Sequence, residues 1–381
     1  MTMREMYSLE YWLLSLLKRT VPDRVSNLLF RRFRLMSLRR AVWLAKDPYT
    51  AEPEASSYPS RYPYILGIIK EFWHCHWPYI GACRDLGIAY KVIDISGPDW
   101  IDIVGKSGCD AFLVWPSVYM TIWKQMYDER LRIMSEELNK RIYPSYKGLW
   151  IYESKRRMHY WLRANKIPHP KTWVFYDLEQ ALDFANNVEL PIVFKSDLGS
   201  GASGVKIFRH RRRLIRFVKR CFRKGFIRTR GYPLDRQWGS MLFQEYLPGV
   251  KEWRMIRIDN SYFGHQKGQI GDFHSGTDIV IFAEPPEELL NFVRKVTDAS
   301  EFDSMNLDIF ETSDGRYLVN ELQTVFGSDP SQMEIGGKPG RYTYDQDRKR
   351  WIFEEGIFWQ NNCCNLRVEH LVKSLDNKLI N

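Results

Sequence analysis

The chain has 381 residues, a formal net charge of +10, and a composition that is 44% hydrophobic, 15% aromatic and 27% charged. Its length exceeds one ordinary core and fits two domains or so at roughly 150 residues each, while the composition excludes disorder, collagen-like repetition and a disulfide-stapled miniprotein. Six scattered cysteines with no paired CxxC spacing give the expectation of a reducing, cytoplasmic setting.

Residues 1–60 read as a basic helical extension. Its first fifty residues hold ten Lys/Arg against four acids, with Arg31, Arg32, Arg34, Arg39 and Arg40 set among Leu29, Phe30, Phe33, Leu35, Met36 and Leu38. That pattern suits a helix lying peripherally on an anionic membrane and equally an N-terminal helical pair packed on the next domain. The apolar run Tyr11 to Leu17 is broken by Lys18 and Arg19, far short of the ~20 residues that span a bilayer.

From residue 61 to 148 strands alternate with helices. Tyr64–Ile69, Ala89–Asp94 and Ala111–Trp115 read as buried strands, an aromatic-rich helix runs to Leu86, and a long charged helix fills about Val118 to Leu138. This predicts βαβ units and a parallel sheet. Tyr143–Gly148 reads as the linker into a second unit over 149–330, and 331–381 as a tail packing on the core. His74, Cys75, His76 and Cys83 match no tetrahedral metal spacing and read as packing residues.

The stretch Pro191–Lys195, Gly199-Ser-Gly-Ala-Ser-Gly204, Val205–Phe208 spells G-x-G-x-x-G. A dinucleotide-binding loop opens into a helix, whereas the residues after Gly204 are β-favouring, so the reading is strand, glycine loop, strand. Such a loop suits a plain hairpin, or a flap whose N–H groups close on a triphosphate while Lys195 adds a point charge. A protein kinase is excluded by the missing H-R-D and D-F-G segments, Asp272-Phe273-His274 lacking the glycine. Next, Arg209 to Arg230 holds eleven Lys/Arg and no acid. Leu214, Phe217, Val218, Cys221 and Phe222 mark the buried stripe of a helix there, whose cationic face is either solvated or anion-binding. Nothing resembles a helix-turn-helix, RNP or zinc-finger signature, and nucleic acid is not expected as a partner.

Met305 to Gln323 contains two alternating runs joined at Asp314-Gly315, which predicts a two-residue type I′ loop pairing Ser313 with Arg316. Carried along both strands, that register sets Asp308 opposite Glu321, with Gln323 on the same face and Asn320 on the other. Two carboxylates and an amide oxygen on one face suit Mg²⁺ held together with nucleotide phosphates.

The Lys-ended strand, the glycine flap, Gln244-Glu-Tyr-Leu-Pro-Gly249, Glu252-x-Arg254 and Asp308…Glu321-x-Gln323 follow one another over some 170 residues. In this order they resemble the ATP-grasp superfamily, closest to its glutamate-ligase and glutathione-synthetase branch. The resemblance implies an α/β (α+β ATP-grasp) fold, in which a parallel-sheet pre-ATP-grasp domain precedes an ATP-grasp domain of two α+β subdomains. It implies an ATP- and Mg²⁺-dependent ligase joining a carboxylate to an amine through an acyl phosphate. Lys155 and Lys195 would then contact the phosphates, with Gly199, Ser200, Gly201, Ala202, Ser203 and Gly204 closing over them. Gln244, Glu245, Tyr246 and Leu247 would form the adenine hinge, and Glu252 would take the ribose. Arg254 and Lys267 would face the transferring phosphate or acyl group, and Asp308, Glu321 and Gln323 would hold Mg²⁺. Gln323 departs from the usual Asn of the family. His265, His274 and Ser275, between hinge and hairpin, are acceptor-pocket candidates, and the basic segments point to an anionic small molecule, peptide or glycan precursor. A homo-oligomer is expected. The competing readings are a nucleotide-binding module without turnover and a basic membrane or nucleic-acid adaptor on the same scaffold.

Overall fold

The computed structural model describes residues 55–56, 60–71, 75–118, 120–199, 204–227, 235–272, 274, 279–302, 304–327 and 333–380. The basic segment 1–50, flap residues Ser200 to Ser203, and Ser275 lie outside the described residues.

The first sheet is built from β1 (Ala55–Ser56), β2 (Ile65–Ile69), β3 (Ala89–Ile93), β4 (Ala111–Leu113) and β5 (Ile142–Tyr143), in the order β1-β3-β2-β4-β5. β3, β2, β4 and β5 run parallel, and β1 is antiparallel to β3. Helices α1 (Trp77–Leu86), α2 (Trp100–Lys106) and α3 (Thr121–Arg132) connect them, so the near-continuous apolar runs of β2 and β4 are covered by side chains on both faces. Ile68 and Leu113 pack with Trp77 and Tyr79 in one cluster, and Ile69 and Phe112 pack with Trp100 and Val104 in another.

The charged helix expected over about Val118 to Leu138 runs as an α-helix to Arg132 and continues as a π-helical turn, Ile133–Glu137. One expectation is corrected here. Tyr143–Gly148 is no open linker: its first residue closes β5, and α4 (Tyr146–Ile151) begins at once because the Ser145 side chain accepts a hydrogen bond from the Gly148 N–H, an N-cap that the Pro-Ser spacing disguised. α5 (Lys155–Ala164) follows, N-capped by Ser154.

The second sheet is antiparallel. It comprises β6 (Thr172–Phe175), β7 (Ile192–Lys195), β8 (Val205–Phe208) and β9 (Met241–Glu245) in the order β6-β9-β7-β8. α6 (Leu178–Asn187) and α7 (Arg211–Lys224) cover one face. As predicted, Leu214, Phe217, Val218 and Cys221 are the buried stripe of α7. Phe194 is the centre of this core, with ring centroids 4.8 Å from Phe217, 5.1 Å from Phe226 and 5.9 Å from Phe243.

The third sheet contains β10 (Lys251–Ile258), β11 (Ser261–Lys267), β12 (Val280–Ile281), β13 (Ser304–Glu311), β14 (Tyr317–Gln323), β15 (Glu334–Ile335), β16 (Lys338–Asp345) and β17 (Arg350–Glu355). The main order is β14-β13-β10-β11-β16-β15, with β12 on β11 and β17 on β16. The sheet thus runs on past residue 330, whose aromatic alternation at Tyr342, Tyr344, Trp351 and Phe353 continues it. Helix α8 (Glu287–Asp298) backs it through Leu289, Leu290, Val293 and Val296. The last helix, α9 (Gln360–Ile380), packs Cys364, Val368, Leu371, Val372 and Leu375 against Trp77, Tyr79, Ile80 and Cys83 of α1. Its start is irregular, with Asn361, Asn362 and Cys363 at positive φ. No helix among the described residues is long and apolar enough to cross a membrane.

Candidate active site

A cleft opens between the second sheet and one face of the third. Lys195 and Val193 of β7, Gly204 and Val205 beside β8, Gln244 to Leu247 at the end of β9, Glu252, Phe310, Asn320 and Glu321 line it, together with Lys155, Asp272 and His274. Gly199 also lines the cleft, so both described ends of the glycine loop border it.

The glycine loop does leave one strand and enter the next, with Lys195 paired to Val205. Gly204 is required by a close approach: a Cβ there would stand 1.7 Å from Ser196 Oγ. The other end is anchored, since Gly199 O accepts from Lys155 Nζ at 2.6 Å and Gly199 N–H donates to Glu153 at 3.3 Å. Lys155 Nζ also lies 3.6 Å from Glu321. Burial works against the Lys155 charge, but Glu321, Glu153 and Asp197 more than offset it and raise its pKa. For Lys195 burial wins: its pKa is lowered, with Lys155 adding repulsion and Glu321 opposing.

The hairpin carries two corrections that cancel. Thr312 pairs with Arg316, so the loop has three residues rather than two. The Thr312 hydroxyl accepts from Arg316 N–H at 3.0 Å, and Gly315 sits at φ +77°, the left-handed position of a three-residue loop. A bulge between Asp308 and Ile309 then absorbs Asn320 and restores the pairing of Asp308 with Glu321. Asn320 therefore turns into the cleft, contrary to expectation, and its Oδ1 accepts from Lys195 Nζ at 2.6 Å. A bulge re-aims a side chain in just this way, and no residue pattern announces one.

Across the third sheet, pairing sets Glu321, Asp308, Arg254 and His265 in one row, with Glu252 opposite Lys267 in the next. Lys267 Nζ donates to Glu252 and to Asp308, each at 2.6 Å. Arg254 donates to both Asp308 oxygens at 3.1 and 3.4 Å. Burial favours the neutral Asp308 acid, but Arg254 and Lys267 override it and hold the carboxyl far below the usual range. The acids and bases thus neutralise one another, Lys267 pairing with both Glu252 and Asp308. Glu245 is likewise engaged, accepting from Lys171 N–H at 2.6 Å. His265 is buried beside Arg254, and His274 borders the cleft near Phe310.

Gln323 stands one row beyond Glu321, opposite Asn306. It is outside the cleft lining, and its Oε1 is buried with no hydrogen-bond partner among the described residues. Two opposed carboxylates and an orphaned amide oxygen on one face fit a hard cation that prefers oxygen. Arg209 and Tyr246 were unforeseen as partners: both donate to Asp272 at 2.7 Å, closing a latch at the cleft mouth.

No family model matches the chain. It is 25% identical over 192 residues to the coenzyme gamma-F420-2:alpha-L-glutamate ligase of Methanocaldococcus jannaschii, covering 48% of this chain and 61% of that one. It is 28% identical over 171 residues to the alpha-aminoadipate–LysW ligase LysX of Sulfurisphaera tokodaii, covering 43% and 56%. The chain thus spans less than two thirds of the length of these curated relatives. Among solved structures, D-cycloserine synthetase DcsG superposes with a TM-score of 0.53 at 17% identity, over 82% of this chain and 99% of that one. An N5-carboxyaminoimidazole ribonucleotide synthetase, determined as its ADP complex, gives 0.50 at 13% identity over 74% and 81%. The strand, flap and hairpin order met in the sequence, the mixed α/β fold that houses it and these similarities agree: the fold is that of the ATP-grasp enzymes, and the chain is similar in sequence to carboxylate-amine ligases of that kind.

Proposed function

We propose that the protein is an ATP-dependent carboxylate-amine ligase working through an acyl phosphate. The observation that carries this reading is that Lys155, Lys195 and Glu321 line one cleft and that Glu321 is paired across the hairpin with Asp308, which Arg254 holds in turn. Both curated relatives are named as ligases, which supports the same chemistry.

In this reading the adenine lies against the end of β9, with Phe310 beneath it, and the phosphates run toward Lys155 and Lys195 under the glycine loop. Asp308, Glu321 and Gln323 would hold Mg²⁺, which would supply neutralisation of the phosphate charge. A carboxylate oxygen of the acid attacks the γ-phosphorus, the bond from phosphorus to the β–γ bridging oxygen breaks, and ADP departs. Such a transfer depends on positioning and charge neutralisation, which Arg254 and the two lysines supply. An amine nitrogen then attacks the acyl carbon, the C–O bond to phosphate breaks, and the nitrogen loses a proton to leave an amide. Arg254, 27% exposed and paired with Asp308, would stabilise the oxyanion of that collapse. Closure of the glycine loop keeps water from the acyl phosphate.

The test is to supply ATP, Mg²⁺, hydroxylamine and pools of carboxylic acids. ADP and an acyl hydroxamate should appear together. Formation of AMP and pyrophosphate, or tight ATP binding with no ADP from any pool, contradicts the reading.

A further inference from the structure

Twelve of the chain's 56 Lys/Arg and none of its 46 Asp/Glu fall between Leu198 and Leu234, which leaves 44 cations and 46 acids in all the rest. The net positive charge of the protein therefore resides in this one segment. Its helix is α7, whose exposed cations form two rows, Arg212, Arg216, Lys219 and Arg223 in one and Arg213, Arg220 and Lys224 in the other. At about 100° and ~1.5 Å per residue, the two rows together cover an arc of about 140° and a length of roughly 18 Å. None of these side chains is in an ion pair among the described residues. Residues 228–234, which follow the helix, add Arg228 and Arg230 and no acid.

Strand alternation fixes where the two rows point. Val193 and Lys195 of β7 and Val205 and Ile207 of β8 line the cleft, while Ile192, Phe194 and Phe208 on the opposite face of that sheet pack with Leu214, Phe217, Val218 and Cys221 of α7. The cations project from the far side of α7, away from the cleft, and take no part in binding there. They also repel one another along the helix, since Arg212 and Arg216, Arg216 and Arg220, Lys219 and Arg223, and Arg220 and Lys224 are each four residues apart, a spacing at which like charges destabilise a helix. An uncharged polar face would solvate α7 equally well, so the repulsion finds its compensation outside the chain.

We propose that α7 docks the protein on an anionic lipid bilayer, leaving the cleft open on the other face of the second sheet. A cluster of this many Lys/Arg on an amphipathic helix is what anionic headgroups attract. The apolar stripe of α7 is committed to the Phe194 core, so the helix does not insert, and the attraction is electrostatic and screened by salt. Trp238, 55% exposed, stands at the C-terminal end of α7, where a Cβ on Gly225 would lie 3.2 Å from the indole nitrogen, and its amphipathic ring suits the headgroup level. Nucleic acid fits less well. A helix that reads the major groove must project into it, whereas α6 lies beside α7 in the same layer, Arg211 Nη1 donating to Ala185 O at 2.8 Å. The exposed face of α7 offers no aromatic ring on which a single strand would stack.

The probes are vesicles of phosphatidylcholine alone and of phosphatidylcholine with about a third phosphatidylserine, mixed with the full chain and floated through a density gradient. The wild type should float with the anionic vesicles only, and its partition should fall about tenfold or more between ~0.05 and ~0.5 M salt. Arg216→Glu with Lys219→Glu and Arg223→Glu should lower the partition about tenfold or more. Arg216→Gln with Lys219→Gln and Arg223→Gln should lower it less, and keeps the proposal testable if the first set does not fold. Arg31→Gln, Arg32→Gln, Arg34→Gln, Arg39→Gln and Arg40→Gln together should leave most of the binding in place. Equal flotation with both vesicles, flotation with neither, binding that the folded α7 variants retain, or binding lost with the five N-terminal arginines instead overturns the proposal. Tighter binding to a mixed-sequence oligonucleotide than to anionic vesicles, lost in the same α7 variants, assigns the helix to nucleic acid and overturns it too. None of these outcomes touches the ligase reading, because the cleft takes no part in them.

Discussion

The two walls of the cleft are stabilised in opposite ways. Behind the second sheet is an aromatic core around Phe194, and that sheet lines the cleft with Val193, Lys195 and the ends of the glycine loop. The third sheet turns toward the cleft two rows of buried and half-buried charges, Glu321, Asp308 and Arg254 in one and Lys267 and Glu252 in the next, that compensate one another. One wall is held by carbon packing, with its glycines and Lys195 contributing little to its stability. The other is held by charge balance, so its stability and its ligand chemistry depend on the same side chains.

That contrast can be broken from either side. Phe194→Ala should destabilise the second sheet by ~3–5 kcal/mol, with little dependence on ionic strength in urea unfolding. Lys267→Met leaves Glu252 and Asp308 short of a cation and should cost a comparable ~3–5 kcal/mol, yet here Glu252→Gln in the same chain should recover part of the loss. If Phe194→Ala were rescued by a charge change, or Lys267→Met indifferent to Glu252, the contrast would fail. Gly204→Ala should cost ~1–3 kcal/mol through overpacking on Ser196, and Ser196→Gly should relieve it.

A pH dependence sharpens the same comparison at the back of the cleft. Burial, helped by His169 and Arg163, lowers the His159 pKa from 6.5 to about 4. The unfolded chain therefore binds the proton first, so this contribution is complete above pH ~6.5 and lost as pH falls toward 4. Thermal unfolding of His159→Gln should show a shallower loss between those limits than the wild type. The smallest effect belongs to the latch. Asp272→Asn, on a largely exposed pair with Arg209, should speed nucleotide release only a few-fold, and less at high salt.

Much of this site is legible in the residues because it lies on regular strands. Period-two alternation sets Asp308, Arg254 and Glu321 on one face once the pairing is known, and the strand-loop-strand reading of Gly199 to Gly204 needs only the β-favouring residues after it. Asn320 is hidden by local chemistry: the Thr312 hydroxyl favours a three-residue loop over the two-residue one that Asp-Gly suggests, and a bulge then repairs the register. Pairing of Asp308 with Glu321 was thus reached through a turn that does not form. Buried Arg367 of α9 is illegible for a different reason. Its partners Ser304, Trp115 and Phe326 come from distant parts of the chain that meet only when α9 docks, and the sequence after Ser328 carries no motif that says so.

Calorimetry of ATP binding, with and without Mg²⁺, on the wild type and on Asp308→Ala with Glu321→Ala, tests the central claim most directly. Micromolar, Mg²⁺-dependent binding that weakens at least tenfold in the double variant, ~1.4 kcal/mol or more, is the predicted result. No binding, or binding indifferent to both the metal and the two acids, would contradict it.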